Sequence, residues 1–241
     1  MRAMEYRTGE TAGRGVRAVV SWVRRAPGTY LWLTLLFGTT VALRHMTPGF
    51  ETEFLRAHST NVHELAVRPV AVLVSSTFWL DGGTWSGYAV LYTVLHAPAE
   101  HRLGTLRWLG VAAGAHVLAT LFSQALLVRA VHYGYAPESS LDTVDVGVSY
   151  ALAGVAGVAT HLIARPWRYM YLAGLLAIYL PPLWTSPGFT DVGHVTSVGI
   201  GLACRPLTRG HGPAWDPLDP LRHAHTRRAG RGEDAGGNRP E

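Results

Sequence analysis

Lysine is absent from the 241 residues, so all 21 basic side chains are arginine. Cysteine is limited to Cys204, which excludes an intrachain disulfide. No Cys/His spacing fits zinc, and no metal or cofactor is expected. Asparagine occurs only at Asn61 and Asn238, so an amide side chain is scarce wherever one is needed. Charged residues make up 15% of the chain against 48% hydrophobic, and the apolar residues are clustered. No internal repeat and no soluble catalytic domain is legible. The first apolar run follows a long Arg-rich segment, which is not the pattern of a cleavable signal peptide.

What the chain does have is apolar runs. A spanning helix needs about 20 mostly apolar residues. Six runs approach this, at residues 30–46, 84–98, 108–130, 146–164, 167–184 and 192–207, the second and sixth being short. A further apolar stretch at 70–80 reads as an interfacial or re-entrant segment. The predicted fold class is therefore all-α, a polytopic membrane bundle of six transmembrane helices whose main partner is the lipid bilayer.

Arginine is unevenly placed. Six precede the first run (Arg2, Arg7, Arg14, Arg17, Arg24, Arg25), Arg102 and Arg107 link the second to the third, and Arg165 and Arg168 link the fourth to the fifth. Seven more follow from Arg205 to Arg239, whereas 133–145 and 185–191 have none. The positive-inside rule then puts both termini in the cytoplasm. The net charge of +5 reflects topology. Nucleic acid is not an expected partner, because the arginines are spread over every inner segment instead of forming one patch. An Arg-only chain rich in Ala and Gly points to a high-GC bacterial source, hence a bacterial plasma membrane.

Three regions are expected. Residues 1–27 form a basic cytoplasmic tail with a short helix at 16–25. Residues 28–207 form the membrane domain. Residues 208–241, rich in Gly, Pro, Arg and Asp, read as a disordered cytoplasmic tail. The outer connection at 47–83 is long, and connections of this length tend to be functional or partly buried. It reads as a lid on the membrane surface.

His194 is the most informative residue. It enters a short apolar helix beside a small-residue stripe, Gly193, Ser197 and Gly201, at i, i+4, i+8. Ionisable groups in hydrocarbon are costly and point to function, and small residues at that spacing let another helix come close. Other polar groups have plainer readings. His116 and His161 are satisfied bundle histidines. His96 and His101 are solvated at the inner interface. Asp145 and Asp191 cap outer helix starts.

These features in this order resemble the rhomboid family of intramembrane serine proteases, over about residues 28–207. The family's second helix ends in a Glu-x-x-Leu-Gly-like signature, which Glu100-His101-Arg102-Leu103-Gly104 resembles. Of the family's Trp-Arg loop pair, Val67-Arg68 keeps the arginine. The family's sixth helix carries Ala-His-x-x-Gly-x-x-x-Gly, which Gly193-His194-Val195-Thr196-Ser197 and Gly201 resemble with Ser in place of the first Gly. The fourth helix of the family opens with Gly-x-Ser-Gly.

The resemblance implies a Ser/His dyad on helices four and six, with Asn and His on helix two assisting the oxyanion. Two registers of helix four are open. In one, Gly147-Val148-Ser149-Tyr150 is Gly-x-Ser with Tyr in place of the second Gly, and Ser149 and His194 form the dyad at matching depth. In the other, the stretch from Gly147 onward follows the nucleophile position, Val146 occupies that position, and Tyr150 packs on His194. Ser149 then simply bonds a helix carbonyl. Helix two has no Asn and no His in its outer half, and losing one oxyanion donor costs on the order of 2.7–4 kcal/mol. The expected function is a non-proteolytic rhomboid-like protein that recognises transmembrane helices of client proteins, with Gly147, Tyr150, Ser197 and Gly201 in client binding or packing. The alternative is a serine-type intramembrane protease.

Overall fold

The computed structural model describes residues 2–82, 84–185, 188–210 and 214–219. The fold is all-α, and among the described residues the only β feature is an isolated bridge between Ile163 and Trp215. Helix α1 spans Arg2–Arg24, and α2, opened by a proline in its first turn, spans Pro27–Arg44. The outer connection is helical throughout much of its length: α3 at Pro48–Ala57, α4 at Val62–Val67 and α5 at Pro69–Ser75, followed by a 3₁₀ turn at Ser76–Phe78. The second long helix is built from α6 at Trp85–Leu91, a π-helical turn at Tyr92–His96 and α7 at Ala97–Leu103. Then follow α8 at Thr105–His132, α9 at Val148–Ala159, α10 at Trp167–Tyr179, the single turn α11 at Pro182–Thr185 and α12 at Phe189–Ala203.

The core is where α8, α9 and α12 meet. Helix α9 is made of Val, Ala, Gly and Leu around one Ser and one Tyr, and it is buried from Tyr150 to Ala159. A helix apolar on every side belongs in a core. On α8, buried Trp108, Val111, Ala112, Ala115 and Ala119 recur at helical spacing and face α9 and α2. The close approach of α9 to α12 depends on glycine. A Cβ at Gly154 would overlap Ala115, one at Gly157 the Val198 carbonyl, and one at Gly201 the Gly154 carbonyl.

Among the described residues one helix, Thr105–His132, is by itself long and apolar enough to cross a bilayer. The segment Gly13–Arg24 and α2 pass the same test together, but they are bent by 93° to one another. The remaining helices follow the expected apolar runs with shifted ends. The second runs on through Leu103, beyond the expected end at Pro98. The π turn gives the reason. Proline lacks an N–H and its ring clashes with the carbonyl four residues back, here Val94, which lies within the π turn. Widening that turn lets the helix continue instead of ending.

Two further differences concern the ends of the chain. Helix α1 extends to Arg2, well past the expected start at residue 16. The expected disorder of 208–241 lies outside the described residues at 211–213 and 220–241. Within 214–219, Trp215 is held against the end of helix four, donating to the Leu162 carbonyl at 2.8 Å and accepting from the Ala164 N–H at 2.9 Å.

Candidate functional site

Helices α9 and α12 bring Tyr150 and His194 together at their N-terminal ends. The two rings meet edge-on, with centroids 5.1 Å apart and planes at 70°. Tyr179 of α10 closes the other side of the imidazole at 5.6 Å. Gly193 makes room for this contact, since a Cβ there would come within 2.6 Å of the Tyr150 ring. One turn further in, the Ser197 hydroxyl donates to the Tyr150 carbonyl. Gly201 then sits on Gly154. The stripe Gly193, Ser197, Gly201 thus faces α9 along its length. Gly147 faces α8, and a Cβ there would overlap the His116 ring.

Ser149 points elsewhere. It is half-buried, and its hydroxyl donates to the Val146 carbonyl of its own segment at 3.5 Å. Among the described residues no hydrogen bond joins Ser149 to His194 or engages the imidazole. The depths also differ from the expected match. Helix α9 begins at Val148 and α12 at Phe189, so Ser149 lies one residue into its helix and His194 five. At 1.5 Å of rise per residue, that offset is about 6 Å along the axes.

Sequence reasoning missed the role of Asp145. It is not a cap. Its buried carboxylate accepts from the Gln124 amide at 3.0 Å, the Tyr150 hydroxyl at 3.2 Å and the Thr60 hydroxyl at 3.4 Å. Its backbone carbonyl also accepts from the Thr60 N–H at 2.9 Å. Asp145 therefore ties the outer connection, α8 and the ring that meets His194 into one network. Burial pushes its carboxyl up to about 6, against the opposing pull of those side-chain hydrogen bonds. Asp191, by contrast, is a cap, accepting the Gly188 N–H at 3.0 Å.

The outer connection is pinned over this end. The Leu73 carbonyl bonds His116 Nε2 at 2.9 Å, the Ser76 carbonyl accepts from the Gly147 N–H at 3.1 Å, and the Thr77 carbonyl accepts from the Trp32 indole at 2.9 Å. Arg68 holds α4 to α3, pairing with Glu64 at 2.6 Å and donating to the Ala57 carbonyl at 2.7 Å. His116 and His161 are satisfied by the Leu73 and Leu202 carbonyls. His96 is a correction: it is fully buried, not solvated, stacked on Tyr92 at 3.9 Å and accepting from the Trp108 indole at 3.2 Å.

The signature residues sit at the opposite end. Glu100 is buried at the N-terminus of α2 and takes four hydrogen bonds, from the Gly28 N–H (2.8 Å), the Thr29 N–H (2.7 Å), the Thr29 hydroxyl (2.7 Å) and the Thr105 hydroxyl (2.8 Å). A helix N-terminus has orphan donors and favours negative charge. Gly28 admits the carboxylate, since a Cβ there would lie 2.9 Å from it and 2.6 Å from Trp108. Arg102 donates to the Leu162 carbonyl at 3.4 Å. Gly104 has φ of +78°, the left-handed conformation that ends α7 and lets α8 start at the next residue.

Between the second and fifth helices opens a cavity of about 450 Å³, lined by Val94, Leu95, Pro98, Ala159, Leu162 and Tyr171 among others. Among the described residues no group of three or more His, Cys, Asp or Glu is placed to hold a metal ion.

A family model described as rhomboid-like protein matches residues 21–214. No curated protein and no solved structure matches the chain. The match takes in the second to sixth apolar helices, the Glu100 signature and the His194 stripe in full, and this chain belongs to the rhomboid-like family of integral membrane proteins.

Proposed function

We propose that this protein is a six-span rhomboid-like membrane protein that recognises transmembrane helices of client proteins without cleaving them. The observation that carries the reading is the pairing of His194 with Tyr150 while the Ser149 hydroxyl bonds its own helix. That favours the register in which Val146 occupies the nucleophile position, and valine cannot attack a carbonyl. The lack of Asn and His in the outer half of helix two removes transition-state stabilisation as well. The apolar cavity between helices two and five offers a place for the side chains of a partner helix.

In this reading both termini are cytoplasmic, in a bacterial plasma membrane. The six spans are α2, the α6–α7 helix, α8, α9 with its 3₁₀ extension, α10 and α12. Reporter fusions at Glu241 and Gly134 give opposite signals if this topology holds, and equal signals refute it. For function, the protein in native membranes is treated with a fluorophosphonate and offered a model transmembrane substrate. Photocrosslinkers are placed at positions 94 and 171. Crosslinking to a client helix without labelling or cleavage supports the proposal. Cleavage abolished by both Ser149→Ala and His194→Ala establishes the protease reading in its place.

A further inference from the structure

Helix α1 ends in a segment whose apolar face nothing in the bundle covers. Val16, Val19, Val20 and Val23 fall at i, i+3, i+4 and i+7, and all four are exposed. At 100° per residue they occupy one side of the helix. Arg14, Arg17 and Arg24 fall on the opposite side, Trp22 flanks the boundary, and residues 13–25 contain no Asp or Glu.

This segment has little reason to be helical on its own. Gly13 and Gly15 each cost about 1 kcal/mol relative to alanine, and four valines are weak helix formers. Most helical stability of such a segment comes from packing its apolar face.

Its placement indicates what covers that face. The segment turns by 93° into α2. The elbow is fixed by the Trp22 indole, which donates to the Tyr30 hydroxyl at 2.7 Å, and by buried Ala26. If α2 crosses the bilayer with its start at the inner face, a helix at a right angle to it lies in the plane of that face. We infer that Gly13–Arg24 is an interfacial helix that binds anionic phospholipid, with the valine face in the acyl boundary and the arginine face among the phosphates. This rests on the span reading proposed above. The charge pattern selects the occupant: each arginine near an anionic surface contributes about 1 kcal/mol, and apolar burial adds to that attraction. A protein partner would have no reason to follow the lipid headgroup.

The test is hydrogen exchange on the full chain in nanodiscs of phosphatidylcholine alone and of phosphatidylcholine mixed with phosphatidylglycerol. Backbone amides of 13–24 should exchange at least about tenfold more slowly in the anionic discs, as roughly 1 kcal/mol per arginine predicts for three arginines. The triple variant Arg14→Gln, Arg17→Gln, Arg24→Gln should erase that difference. Val16→Asp with Val20→Asp should leave 13–24 unprotected in both lipids. Equal exchange of the native segment in the two discs overturns the inference. The interior of α8 serves as the control: slow exchange there in both lipids upholds the span reading, so a failure confined to 13–24 belongs to this inference alone. Rapid exchange in α8 sinks the span reading, and the inference with it.

Discussion

The two ends of the bundle use polar groups in opposite ways. At the inner end, each oxygen of Glu100 accepts two hydrogen bonds, and Gly28 is there to let it in. At the outer end, His194 is held by rings, Tyr150 and Tyr179, with no hydrogen bond on the imidazole among the described residues. The first arrangement is complete and cannot accept a ligand without breaking. The second keeps donor and acceptor capacity in reserve. A signature residue can therefore be structural, while the residue that looks under-used is the one placed to meet another molecule.

The comparison breaks most sharply at Glu100. Glu100→Ala leaves the buried N–H groups of Gly28 and Thr29 unsatisfied, each costing about 1–3 kcal/mol. A loss of about 3–5 kcal/mol is expected, read as a large fall in Tm in detergent. A loss below about 1 kcal/mol would show that the clamp is dispensable.

Next in size is the small-residue stripe. Gly201→Leu drives a branched side chain into the Gly154 backbone, which cannot yield as a side chain would. Overpacking of this kind costs about 3 kcal/mol or more. Leu202→Ala, at a half-buried position, should cost less. Equal thermal stability of Gly201→Leu and the parent would refute the close contact between α9 and α12.

Acidity sharpens the outer end. The Asp145 carboxyl is pushed up to about 6 from its ordinary 3.8, so the fold favours its protonated form. That contribution is fully present below about pH 4 and is lost as pH rises through 6, by up to about 3 kcal/mol. A Tm series between pH 4 and 7.5 should show the decline, and Asp145→Asn should flatten it. An unchanged slope in the variant would assign the titration to another group.

The smallest effect is expected at Ser149. Ser149→Ala removes one long hydrogen bond at a half-buried position and should change stability by about 0.5 kcal/mol or less, with client crosslinking intact. A sharp loss of crosslinking would give Ser149 a role that its contacts do not indicate.

Helix centres were legible because apolar runs report burial, and the His194 stripe was legible because glycine at i, i+4, i+8 has few other uses in such a helix. Glu100 was legible as a signature but not as a clamp, since its partners, Gly28 and Thr29, lie 72 and 71 residues away. Asp145 looked like a cap because it precedes a helix. Thr60 and Gln124, which claim it, come from other elements. Pro98 looked like a stop because sequence shows the missing donor, while the compensating π turn depends on what the helix packs against.

That π turn has a consequence for how the chain tolerates length changes. Closing one turn over five residues instead of four stores an extra residue within Tyr92–His96. Removing one residue there would restore α-helical winding and rotate everything beyond it by about 100°, with a shift of about 1.5 Å. Glu100 would swing off the start of α2, even though it and all its partners were still present. The π turn thus acts as a phase spacer, setting the angular position of the inner half of the helix independently of the outer half. Insertions and deletions there are tolerable only in pairs that leave the phase unchanged.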